Sequence, residues 1–324
     1  MADMKIKRPL KKPLAIAVAI ILTLALADIG GAFYMLGFAL RPEAKAAQKE
    51  AQTDSFMYAN YPFLRQWEDS LSRTRAVKDA YFTNGEGLKL HAIYFSAPRH
   101  TKRTAVIVHG YTDNARRMMM IAYLYNHDLG YNVLLPDLQH HGQSQGEAIT
   151  MGWKDHYDLV RWTAVADSLF GRNTEMAMHG ISMGAATVMM ASGENLRPCV
   201  KAFIEDCGYT SAWDEFEWQL GEMFSLPAFP LLHTTSALCR LKYGWTFGEA
   251  SALNQVKKCR RPMLFIHGGE DTYVPTRMVR KLYAAKPGIK ELWIPAGVEH
   301  AQSYRDCREE YTRRVRAFLE KYNK

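Results

Sequence analysis

Between residues 79 and 295 the chain repeats one alternation, and few folds accommodate it. Short apolar runs at 79–82, 88–95, 105–108, 131–137, 175–179, 200–205, 262–267 and 291–295 read as strands. Stretches with apolar residues at helical spacing lie between or after them, at 115–127, 155–170, 184–192, 277–285 and 304–322. A strand followed by a crossover helix feeds the next strand in parallel, and a sheet built this way is covered by helices on both faces. Asn84-Gly85, between the first two runs, reads as a turn, so the opening strands add an antiparallel edge. One segment breaks the pattern. Residues 211–258 hold no strand run but carry Trp213, Phe216, Trp218, Phe224, Phe229, Trp245 and Phe247. A structureless loop of that length is improbable in a compact domain, so a small helical cap is expected there.

The run at 175–179 leads into Gly180-Ile181-Ser182-Met183-Gly184. A serine held in a sharp strand-to-helix turn needs neighbours without side chains, because the backbone there is crowded. Ala185 and Ala186 let the following helix pack close. A serine hydroxyl is a poor nucleophile at neutral pH; it needs a base, and the base needs an orienting acid. Both follow, each just after a strand run. Asp271 lies in the loop after 262–267, and His300 in the loop after 291–295. Glu270 and Asp206 are the competing acids. An oxyanion site is expected from backbone N–H groups of Tyr111, in the His109-Gly110-Tyr111 loop after 105–108, and of Met183. His109, His267, His140 and His141 read as loop-shaping residues, Cys207 as a packed thiol, and the methionines at 118–120 as core filling. No metal-ligand spacing is present, and neither a metal nor an organic cofactor is expected.

These motifs, in this order, resemble the α/β-hydrolase superfamily, most closely its bacterial alpha/beta hydrolase or serine aminopeptidase-like branch. The resemblance spans residues 77–321. It rests on His109-Gly110-Tyr111, Gly180-Ile181-Ser182-Met183-Gly184, His267-Gly268-Gly269-Glu270-Asp271 and Glu299-His300 together. The loop Asp137-Leu138-Gln139-His140-His141-Gly142-Gln143-Ser144 is similar to the family's Asp-x-Arg-Gly-His-Gly-x-Ser, departing at Gln139 and His140. The resemblance implies an α/β-hydrolase fold: a mainly parallel central sheet, helices on both faces and a small helical cap. It implies a serine hydrolase acting on a small acyl or ester substrate. Short peptides are the runner-up, for which the cap offers only the scattered acids Asp214, Glu215, Glu217, Glu222 and Glu249. A binding scaffold without catalysis is the reading of another class.

The 324-residue chain is 48% hydrophobic, enough for a sizeable core, and its net charge is +8. Within the first twelve residues, Lys5, Lys7, Arg8, Lys11 and Lys12 stand against Asp3. The remaining charge is scattered and forms no basic stripe with interleaved aromatics, so a nucleic-acid partner is not expected. The cluster precedes an apolar run over 13–40, long enough to cross a bilayer. Ala25-Leu26-Ala27 before Asp28 resembles a signal-peptide cleavage site, which would release a secreted enzyme. The apolar run resumes at once, which favours an uncleaved signal anchor with its basic end in the cytoplasm and the catalytic domain outside. The expected organisation is an N-terminal transmembrane helix in 1–40, a polar connector over 41–76 and a catalytic domain over 77–324. The five cysteines show no C-x-x-C pair, and their spacing does not dictate any disulfide.

Overall fold

The computed structural model describes residues 11–324. In chain order its elements are helices α1 (Lys11–Leu40), α2 (Glu43–Ala51), α3 (Thr53–Asn60) and α4 (Leu64–Arg73), then strands β1 (Lys78–Thr83), β2 (Lys89–Phe95) and β3 (Arg103–Val108). A helical segment over 115–128 contains α5 (Met119–Tyr123) and leads to β4 (Asn132–Pro136), α6 (Asp155–Leu169), β5 (Glu175–Ile181), α7 (Met183–Ala191) and β6 (Val200–Asp206). Three helices follow without a strand: α8 (Ala212–Phe224), α9 (Leu231–Tyr243) and α10 (Ala252–Val256). The chain ends with β7 (Met263–Ile266), α11 (Arg277–Ala285), β8 (Lys290–Trp293), α12 (Ser303–Asp306) and α13 (Arg308–Tyr322).

The eight strands form one sheet in the order β1-β2-β4-β3-β5-β6-β7-β8. The β1–β2 and β2–β4 pairs are antiparallel, and every other pair is parallel. Successive side chains on a strand point to opposite faces. Val106 and Val108 therefore enter one core, with α6, α7 and α11, while Ala105 and Ile107 enter the other, with α4, α5 and α13. The chain passes from β3 to β4 on one side and returns to place β5 on the other. The segment after β3 crosses one face and α7 the opposite face, so their connecting loops diverge. That divergence leaves a crevice at the carboxyl ends of β3 and β5, where open α/β sheets bind ligands.

Residues 41–76 read as a connector, but they fold as three helices against the domain. On α4, Leu64, Trp67, Glu68 and Leu71 are buried, a one-sided stripe that a polar average conceals. Trp67 packs edge-on against Phe95 and Tyr123, and Arg116 reaches Glu68 at 2.6 Å.

The N-terminal helix divides in two. From Leu14 to Ala27 every residue is exposed. Beyond Asp28, a stripe of Ala32, Leu36 and Leu40 is buried at 0%, 3% and 0% exposure. This half runs antiparallel to α9: Gly31 faces Leu231 and Asp28 accepts a hydrogen bond from the Thr234 hydroxyl. The last carbonyls of a helix lack partners within it. Here the Tyr111 hydroxyl donates to Ala39 O at 2.8 Å and Ile149 N–H to Leu40 O at 2.9 Å. The basic residues Lys5, Lys7 and Arg8 lie outside the described residues. All five cysteines are unpaired.

Candidate active site

Ser182 caps the N-terminus of α7 with φ 57° and ψ −120°, a strained conformation that turns the chain sharply out of β5. A Cβ at Gly180 would overlap the carbonyl oxygen of Gly184, and one at Gly184 would overlap that of Val108. Only glycine fits either place, which is why the serine sits between two of them.

His300, in the loop after β8, directs Nε2 to Ser182 Oγ at 2.9 Å and Nδ1 to Asp271 Oδ2 at 2.7 Å. Asp271, in the loop after β7, also accepts the N–H groups of Tyr273 and Val274 on its other oxygen, at 3.0 and 2.9 Å. Burial pushes the Asp271 carboxyl upward, but the hydrogen bonds and charge of His267 and His300 outweigh it, so the group stays below the usual carboxylate range. The three side chains therefore form a relay: an ionised acid, an oriented imidazole and a hydroxyl within proton-transfer distance. Neither competing acid takes this place. Glu270 is exposed, and Asp206 faces Ser303 and Tyr311, with burial pushing its carboxyl up to about 6.

Tyr111 and Met183 both line the cavity beside Ser182. The loop after β3 passes close to the serine: a Cβ on Gly110 would be in van der Waals contact with Ser182 Cβ, at 3.5 Å. Met183 N–H belongs to the first turn of α7, where unsatisfied N–H groups and the helix dipole favour a developing negative charge.

The other singled-out histidines hold loops together. His109 Nε2 accepts from Leu138 N–H, His141 Nε2 from Thr112 N–H, His140 lies 3.0 Å from Gly146 O, and His267 lies 2.8 Å from Val274 O. Cys207 Sγ lies near Asp271 and His300, within 4.8 Å, the one grouping of potential ligands among the described residues. Its thiol is fully buried and held protonated by that burial, and the other two groups are already bonded to each other.

The cavity above Ser182 has a volume of about 670 Å³, within the usual range for small-molecule sites. The cap supplies Phe216, Leu220, Phe224 and Leu232, while Trp245 and Phe247 are buried in the cap, Phe247 also touching the cavity. The cap is tied to the acid loop by Trp218 Nε1–H and Gln219, which donate to the carbonyls of Thr272 and Tyr273.

Sequence reasoning left two parts of this wall unassigned. One is Glu215, named only among the scattered cap acids and, of those, the one that lines the cavity. One of its oxygens accepts from Gln219, the other has no partner, and burial pushes the carboxyl up to about 8. The other is the docked half of α1, whose Phe33, Tyr34, Met35, Gly37, Phe38 and Ala39 form a whole side of the cavity. The four-residue spacing of Ala32, Leu36 and Leu40 was a signal for it, hidden in a uniformly apolar run.

Residues 105–310 match the model of the alpha/beta hydrolase family. The chain is 33% identical over 230 residues to the uncharacterized protein YqkD of Bacillus subtilis (strain 168), covering 71% of this chain and 75% of that one. Among solved structures it is similar to the Pyrococcus furiosus esterase Pf2001, with a TM-score of 0.63 and 21% identity over 78% of this chain and 96% of the other. The ferulic-acid complex of Est1E from Butyrivibrio proteoclasticus gives a TM-score of 0.58 at 21% identity, over 75% and 98% of the two chains. With its parallel sheet, its serine turn and these likenesses together, the chain belongs to the alpha/beta hydrolase family.

Proposed function

We propose that this hydrolase cleaves carboxylic ester bonds through Ser182, His300 and Asp271, and that α1 anchors it in a membrane with the catalytic domain outside the cytoplasm. The observation that carries the reading is the hydrogen-bonded relay from Asp271 through His300 to Ser182 at the floor of an apolar cavity. Ser182 Oγ attacks the ester carbonyl while His300 takes its proton, and Asp271 stabilises the imidazolium. The N–H groups of Tyr111 and Met183 receive the oxyanion. The C–O bond to the alcohol breaks, and His300 returns the proton to the leaving oxygen. Water then attacks the acyl-enzyme by the same route, releasing the acid and restoring the serine.

The cavity favours esters over peptides with a free amine. A peptide amine would need an ionised carboxylate at the wall, and burial, which pushes the Glu215 carboxyl up to about 8, opposes that ionisation. The cavity's other carboxylate, Glu43, is exposed and paired with Arg41 at 3.0 Å. Structural neighbours described as esterases are consistent with this preference.

A fluorophosphonate probe, which reacts with an activated serine, should label Ser182. Ser182→Ala should abolish labelling and lower turnover of p-nitrophenyl butyrate by at least ~10³-fold. Labelling that persists in Ser182→Ala would refute the assignment.

A further inference from the structure

The candidate membrane helix and the candidate acyl cavity share a wall. Residues 14–27 are exposed all round, and at 1.5 Å per residue this free stretch is ~21 Å long. A bilayer's hydrocarbon core is ~30 Å thick and takes about 20 helical residues. Counted from Leu14, a span of that length ends near Phe33, inside the half of α1 that is docked on α9 and lines the cavity. The free stretch alone is too short. For α1 to cross, the cap beside it must enter the outer part of the bilayer as well.

The cap surface suits that position. Met223, Leu226 and Phe229, in and after the last turn of α8, are 56%, 44% and 72% exposed, an unusual clustering for a face in water. They lie next to α1, because Phe224 packs edge-on against Phe38 and Leu231 meets Gly31. Phe33 and Tyr34 of α1 are themselves 58% and 64% exposed while lining the cavity, so the cavity opens along the same face. Farther along, the lining turns polar at Arg41 and Glu43. The helix thus offers an apolar path that starts at bilayer depth and ends beside Ser182.

We propose that the substrate is an acyl ester lipid of the membrane that holds α1, and that its acyl chain enters the cavity laterally, between α1 and the α8–α9 connection. This rests on the serine-esterase reading and specifies its substrate class. The lipid's ester carbon is attacked by Ser182 Oγ, the bond to the alcohol oxygen breaks with the proton delivered through His300, and water releases the fatty acid. No further reactant enters the balance.

The test uses the full chain reconstituted in phosphatidylcholine vesicles. Dioleoylglycerol, which transfers poorly between vesicles, is supplied either in the same vesicles or in protein-free ones at equal concentration, and oleate release is measured. Release should be at least ~10-fold faster from the shared vesicles, while water-soluble p-nitrophenyl butyrate is cleaved equally in both arrangements. Equal release from the two arrangements, or no oleate release while p-nitrophenyl butyrate is cleaved, overturns the lipid proposal and leaves the esterase reading standing. If neither ester is cleaved and a fluorophosphonate leaves Ser182 unlabelled, both fall. A binding readout independent of turnover uses Ser182→Ala with a phosphatidylcholine that carries a diazirine on its acyl chain. Crosslinks should appear on peptides holding residues 33–39 and 216–232. Crosslinks confined to residues 14–27 would overturn lateral entry.

Discussion

Residues 14–27 and 28–40 belong to one continuous helix of similar composition, yet the structure treats them oppositely. Leu14, Ile16 and Leu26 stand 66%, 61% and 70% exposed, whereas Leu36 and Leu40 are 3% and 0% exposed within the core that also holds Val106, Val108 and Met183. The boundary is Asp28, whose carboxylate receives the Thr234 hydroxyl. Apolar composition alone drives a segment out of water without saying what it will lie against. The first half has no protein partner among the described residues, and the second is as much part of the hydrolase domain as any sheet-covering helix.

The largest test of this division is by truncation. Removing residues 1–40 deletes a cavity wall and exposes the sites that Ala32, Leu36 and Leu40 cover. Tm in detergent should fall by at least ~10 °C, given ~2–4 °C per kcal/mol for a domain of this size. Removing only residues 1–27 should leave Tm within ~2 °C and p-nitrophenyl butyrate turnover within about twofold, since residues 14–27 are all exposed. Equal behaviour of the two truncations would erase the distinction.

Single substitutions narrow it. Leu36→Ala should destabilise by ~2–5 kcal/mol, the usual cost of a large-to-small change in a core. Leu26→Ala should stay within ~0.5 kcal/mol in thermal unfolding.

Glu215 lines the same cavity as the docked half of α1. Burial raises its folded pKa to about 8, above the ordinary value of about 4.5. Between those values the folded state holds a proton that the unfolded state has released, so stability falls as pH rises through that window. Tm of Glu215→Gln, followed from pH 5 to 9, should decline less than that of the unaltered protein. In the chain lacking residues 1–40 the two profiles should converge, because water would reach the carboxyl. Parallel profiles in the full chain would show that Glu215 is not held neutral.

The smallest effect belongs to the boundary itself. Asp28→Ala removes one hydrogen bond and should cost ~1 kcal/mol, with Asp28→Asn recovering most of it. A loss beyond ~3 kcal/mol would mean that Asp28 does more than mark where docking begins.

Much of this molecule was legible in advance, and for a local reason. The alternation of strand and helix runs encodes a parallel sheet because period-2 and period-3.6 patterns are properties of neighbouring residues. Gly180 and Gly184 flag a crowded turn because only a missing side chain permits it, and Ser182, Asp271 and His300 each lie at or in the loop after a strand. What the tertiary structure decided involves partners distant in sequence. The choice of Asp271 rather than Asp206 beside His300 depends on which strand-end loop turns toward Ser182, a matter of distances across three strands. The helices of 41–76 lie against the domain because a narrow stripe on α4 finds Phe95 and Tyr123, which no local average reveals. The division of α1 at Asp28 depends on α9, some two hundred residues away in the chain. A hydrophobic run carries the same signal whether it meets lipid or protein, so only the folded chain could show that one half of this helix stands exposed and the other half is a cavity wall.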